Sequence, residues 1–99
     1  MIVDFSISPI GAGESLSRYI GEVFAVIERS GLSYEHHAMG TNIEGEWDEV
    51  MELINSCRKL MHTHADRVSI SIRIDDRKGV TNGLASKVAS ARAKVNDQR

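Results

Sequence analysis

The sequence is poor in the residues that build specialised architectures. One cysteine, Cys57, stands in 99 residues. It has no partner for an internal disulfide and cannot form a thiolate metal site. The single proline and five aromatic residues exclude proline-rich and aromatic-repeat designs. No apolar run approaches the ~18–20 residues that span a bilayer. The opening MIVDFSISPI lacks a basic region and is interrupted by Asp4, Ser6 and Ser8, so it does not read as a secretion signal. The formal charge is −2, with both signs interspersed and no Lys/Arg run. Nucleic-acid affinity rests on a cluster of basic groups releasing counterions, and none is visible. The expectation is a cytoplasmic domain with neither nucleic-acid nor membrane partners.

What is present is alternation and helical periodicity. From Ile2 to Ser8, Val3, Phe5 and Ile7 fall on one side and Asp4, Ser6 and Ser8 on the other. This is the period of a half-buried strand, and Pro9 with the Gly11–Gly13 turn is expected to end it. Ser15 fits the N-cap of a helix in which Leu16, Ile20, Val23, Phe24 and Ile27 form one stripe, and Gly31 fits its C-cap. Ser33 to Ala38 reads as a second strand. After the Met39-Gly40 turn, Thr41 to Gly45 reads as a short third strand around Ile43. The run Gly45 to Val50 starts a second helix that is expected to fade near His64, with Asp48 and Glu49 at its positive end and Val50, Leu53, Ile54, Cys57 and Met61 along its stripe. Arg67 to Asp75 alternates again, Val68, Ile70, Ile72 and Ile74 against Ser69, Ser71 and Arg73. Asn82 fits the cap of a last helix carrying Leu84, Val88, Ala91 and Val95.

The order β, α, β, β, α, β, then α, is the ferredoxin-like α+β arrangement with one extra helix. It is a single domain whose antiparallel sheet runs 4-1-3-2, with two helices on one face. The other face stays open unless a partner covers it. That face gathers Ser6, Ser8, Ser69 and Ser71, with Asn42, Glu44 and Arg73 joining them if Ile43 points inward. The last helix has no place under a two-helix layer, so its apolar stripe is expected to pack on another subunit.

Three stretches, SISPIGAGESLSRYI, HHAMGTNIEGEWDEVM and RVSISIRIDDR, cover much of the chain. In them it resembles the thiamine-binding protein family, most specifically in the Met-Gly-Thr-x-Ile-Glu-Gly block at 39–45. Ala38 stands where that family often has proline. The resemblance implies a ferredoxin-like fold and a homo-oligomer, commonly a tetramer built as a dimer of dimers. It implies binding of thiamine or its hydroxymethylpyrimidine half, without catalysis. It points to Thr41, Asn42 and Glu44 as site residues, and beyond them to Ser8 and His37.

The residues themselves support several roles. Glu44 can accept from an exocyclic amine or pair with a protonated ring nitrogen, the strong charge-assisted kind of hydrogen bond. The plainer reading is a solvated glutamate on a short strand. Ser6, Ser8, Thr41 and Asn42 can orient a ligand through neutral donors and acceptors, or simply line a sheet and a turn. Trp47 can wall an aromatic or cationic ring, or pack over the core edge. His36 and His37 point to opposite faces of a strand, and His62 and His64 are misspaced for one helical metal site, so no metal is expected. Gly11 and Gly13 read as a turn before an anion cradle. Cys57 reads as an inert buried thiol. No nucleophile, base and orienting group stand together in the sequence, which favours binding over catalysis. The alternatives are a small enzyme acting on a related heterocycle, with Glu44 as base and His37 as its partner, and a ligand-free oligomeric regulatory module.

Overall fold

The computed structural model describes residues 1–13, 16–79 and 83–97; Ser15 and Asn82, read above as helix caps, lie outside them. The elements are β1 (Ile2–Ile10), α1 (Leu16–Arg29), β2 (Ser33–His37), β3 (Gly40–Glu44), α2 (Trp47–His62), β4 (Arg67–Asp75) and α3 (Gly83–Asp97). The four strands form one antiparallel sheet in the order β2-β3-β1-β4, the ferredoxin-like arrangement expected.

Alternation decides which side of the sheet is buried. Val3 and Phe5 of β1 and Ile43 of β3 point into one layer and meet Val23 and Ile27 of α1 and Val50, Leu53, Ile54, Cys57 and Met61 of α2. Every apolar position expected on the α2 stripe is buried. Glu49 Oε1 accepts from the Glu46 backbone N–H at 3.3 Å, fastening the start of α2. At the end of α1, Gly31 sits at φ +81°, where a side chain would be strained, as expected of a C-cap glycine.

Three details depart from the sequence reading. Pro9 does not end β1: the strand runs on to Ile10, with Pro9 opposite Val68. Pairing to β3 stops at Phe5, so beyond it the strand has a partner on the β4 side alone, and an edge tolerates the missing proline N–H. Ile72 and Ile74 lie on the core side but remain 42% and 39% exposed, because the helix layer does not extend over that end of the edge strand β4. Finally, the sheet face expected to stay open is partly covered by α3 of the same chain. Its first turn sits on the sheet face opposite α1 and α2, against β3, with Gly83 buried and Leu84 half-buried. From Lys87 to Val95 it is exposed. The radius of gyration, 15.3 Å, exceeds the about 13 Å of a compact domain this size, in keeping with a helix anchored at one end.

Candidate functional site

The strand register builds the face opposite α1 and α2 row by row. Asp75, Ile2, Glu44 and Ser33 form one row across the four strands. Arg73, Asp4, Asn42 and Glu35 form the next. In the third, Ser71 stands opposite Ser6, and His37 stands opposite Gly40. Gly40 offers no side chain, and His37 reaches across to donate from Nε2 to Asp4 Oδ1 at 2.7 Å. The Met39 N–H donates to His37 Nδ1, an arrangement that leaves Nε2 as the nitrogen facing Asp4.

Glu44 is the centre of this surface. It is half-buried, and its Oε2 accepts from the Leu84 N–H at the start of α3, at 3.3 Å. Two recesses open on either side of it. One, of about 310 Å³, is lined by Ile2, Asp75, Arg77, Gly83 and Lys87 besides Glu44. The other, of about 460 Å³, is lined by Ser33, Glu35, Leu84, Val88, Ala89 and Arg92 besides Glu44. A third, of about 520 Å³, continues over Asp4, His37, Asn42 and Arg73 and shares Ile2, Asp75 and Lys87 with the first. Lys87 of α3 forms an ion pair with Asp75. The hydrogen bond and charge of Lys87 hold the Asp75 carboxyl below the ordinary carboxylate range.

The residues singled out from the sequence do not all meet here. Glu44 and Asn42 share the face two residues apart, and His37 lies on it. Ser6 and Ser8 are also on this face, but about 13 Å and 20 Å along β1 from the level of Glu44, too far to touch a ligand centred there. Thr41 is a correction: it shares the core side with Ile43 and is 2% exposed. Its hydroxyl bonds His36 Nδ1 at 2.9 Å, while His36 Nε2 meets Glu28 Oε2 at 3.2 Å and the ring stacks on Phe24 with centroids 3.6 Å apart. The sequence of hydroxyl, imidazole and carboxylate resembles a catalytic relay, but a buried hydroxyl offers no oxygen to a substrate; the set ties α1 to the sheet. Trp47 is a second correction. It starts α2, belongs to the other layer, is 56% exposed and lines none of the three recesses.

Two absences hold among the described residues. No group of three or more His, Cys, Asp or Glu is arranged to hold a metal ion, and no helix is long and apolar enough to cross a membrane. His64 instead pairs with Glu22 at 2.6 Å, joining the end of α2 to α1. Cys57 is fully buried, and burial pushes its thiol up to about 11. A groove of about 430 Å³ between α1 and α2, bordered by Arg29, Glu49 and Glu52, holds none of the residues expected in the site.

Sequence reasoning missed Ile2, Asp4, Asp75 and Lys87. The first three are legible once the register is known, since they neighbour Glu44, Asn42 and Arg73 across the strands. Lys87 has no local signal, because only the packing of α3 brings it to the sheet.

A sequence model of the family described as "Thiamine-binding protein" matches residues 3–92. The chain belongs to that family. A UPF0045 protein of Synechocystis sp. is 36% identical over 91 residues, which cover 91% of this chain and 75% of the relative. A UPF0045 protein of Mycobacterium bovis is 38% identical, with 91% of this chain and 89% of the relative covered. The crystal structure of a hypothetical protein from Methanocaldococcus jannaschii superposes with a TM-score of 0.83 at 32% identity, covering 91% of this chain and 93% of that one. The family is thus named for ligand binding, and its likeness extends to nearly the whole fold.

Proposed function

We propose that this protein binds thiamine or its hydroxymethylpyrimidine half at Glu44, as a carrier, buffer or sensor that performs no chemistry on it. The observation that carries the reading is the position of Glu44: a half-buried carboxylate at the meeting of two recesses, on the face that α1 and α2 leave open. An aminopyrimidine presents an amine and ring nitrogens in one plane. The carboxylate can take the amine N–H and a protonated ring nitrogen together, a bidentate charge-assisted pair. Ile2, directly opposite Glu44, supplies an apolar floor for the ring. Asn42, one step along β3, adds a neutral amide within reach of ring substituents. The family name supports the choice of ligand.

Binding rather than catalysis is also favoured by the separation of Glu44 from His37, the pair named for the enzyme alternative. His37 stands opposite Gly40, so it lies about 13 Å along the strands from Glu44 and engages Asp4 instead. It is no proton partner for that carboxylate.

The same reading makes the chain a cytoplasmic homo-oligomer, a dimer of dimers. Ile10, Leu16, Ile20, Ile72, Val88 and Val95 are each more than 40% exposed and offer apolar surface that a partner subunit could cover. Native mass spectrometry gives the assembly directly, and a monomer at micromolar concentration refutes this part.

Calorimetry tests the ligand. Thiamine and hydroxymethylpyrimidine are titrated into the wild type, Glu44→Gln and Ser8→Ala. Removing the charge is expected to weaken binding by about tenfold or more, the value of a hydrogen bond to a charged group. Ser8→Ala is expected to bind as the wild type does. No binding to the wild type, or equal binding to Glu44→Gln, refutes the proposal.

A further inference from the structure

The carboxylate that the proposed ligand needs is already engaged. Glu44 Oε2 receives the Leu84 N–H of α3, and the first turn of α3 parts the two recesses that open on Glu44. Gly83 and Lys87 border one recess, Leu84 and Val88 the other. Glu44 is the residue the two recesses share.

We infer that α3 is a self-inhibitory strap: its Leu84 amide takes the place of the ligand's amine on Glu44, and a ligand that claims Glu44 displaces the helix. This rests on the reading of Glu44 as the ligand's partner. The helix is built to yield. Its foothold is Gly83, Leu84 and the Lys87–Asp75 ion pair, whose side chains are 62% and 55% exposed. Exposed pairs of this kind are weak and screened by salt. Beyond them, Val88 is 47% and Val95 52% exposed within the single chain, so these described positions of the outer turns add little to the foothold. Apparent affinity is then the intrinsic affinity reduced by the fraction of molecules with the strap closed.

Two variants leave Glu44 in place and loosen the strap. Leu84→Pro deletes the N–H donor, at a first-turn position where proline suits a helix. Lys87→Ala removes the ion pair. With hydroxymethylpyrimidine as probe, Leu84→Pro is expected to bind about tenfold tighter than wild type, the value of one hydrogen bond to a charged group. Lys87→Ala is expected to bind about two- to fivefold tighter, the value of an exposed ion pair. In hydrogen exchange, the probe is expected to speed exchange of the amides from Leu84 to Val95. Slower exchange there on binding, or unchanged or weaker affinity in both variants, overturns the strap, because α3 would then close over the ligand or take no part. Without any ligand, Glu44→Ala is expected to speed exchange along α3, and unchanged exchange refutes the clasp by itself. Absence of binding to wild type and both variants refutes the ligand assignment and the competition with it, while the exchange of Glu44→Ala still reports on the clasp alone.

Discussion

Replacing Gly40 by alanine tests the packing that brings β3 against β1. A Cβ at Gly40 would lie 2.5 Å from the Phe5 carbonyl oxygen and 3.3 Å from both the Phe5 carbonyl carbon and the Ser6 Cβ. The nearest of these atoms belong to backbone, so no side-chain rotation relieves the clash. The strands must part where Phe5 pairs with Thr41. Overpacking of this kind costs about 1–3 kcal/mol and sometimes more. The gain that usually follows from removing a strand glycine is not realised here, because Gly40 sits at φ +157°, a backbone conformation that L side chains rarely adopt. The expectation is a loss of about 1–3 kcal/mol, or a fall in melting temperature of roughly 4–24 °C for a domain of this size. Gly21, in the middle of α1 with nothing within 4 Å of its added Cβ, is the control. There alanine brings only its better helix propensity, a gain of about 0.5–1 kcal/mol. Chemical denaturation of the two variants is expected to move the midpoint in opposite directions. A Gly40→Ala protein as stable as Gly21→Ala refutes the argument that close strand approach requires a glycine.

The other expectations concern single groups. Thr41→Val removes the hydroxyl bonded to His36 and should cost about 0.5–1.5 kcal/mol, while leaving ligand affinity unchanged because the residue faces the helices; a loss of affinity with stability intact contradicts its placement. Cys57 is buried as the neutral thiol, so its folded pKa lies above its unfolded value and its stabilising contribution is present below about pH 9 and lost as pH rises toward 11. Two units amount to about 2–3 kcal/mol, read as a falling denaturation midpoint over that range, and thiol reagents should leave the native protein unmodified below it. The Asp75 carboxyl is depressed by Lys87, so its contribution is present above the ordinary carboxylate range and lost as pH falls through the lower folded value. Protection along α3, taken relative to the intrinsic exchange rate at each pH, should therefore fall in acid, and protection that stays constant with pH counts against the Lys87–Asp75 contact.

Much of the architecture is written in short-range pattern. Val3, Phe5 and Ile43, and the α2 stripe from Val50 to Met61, announce the buried layer because burial on one face imposes period 2 on strands and 3.6 on helices. The edge of that layer is not written locally: Ile72 and Ile74 alternate as faithfully as Val68 and Ile70, and only the reach of the helices leaves them uncovered. Pro9 misleads for a related reason. A proline ends a central strand, but register alone shows that β1 has become an edge beyond Phe5. The site divides in the same way. Glu44 and Asn42 are legible from the parity of Ile43. By that same parity Thr41 belongs with Ile43 in the core, a consequence the short motif obscures. Ser6 and Ser8 have the right face but the wrong level, which alternation cannot reveal. The Met-Gly-Thr block gains at least one physical reason, since Gly40 both admits the close approach of β1 and lets His37 cross to Asp4.

The most direct test of the open-face site is a map of amide shifts as hydroxymethylpyrimidine is added to the labelled wild type. The largest shifts are expected on Ile2, Asn42, Glu44 and the Leu84 amide that Glu44 releases, with the amides of His36, Thr41 and Cys57 still. Shifts gathered instead around Arg29, Glu49 and Leu53, in the groove between α1 and α2, would contradict this placement.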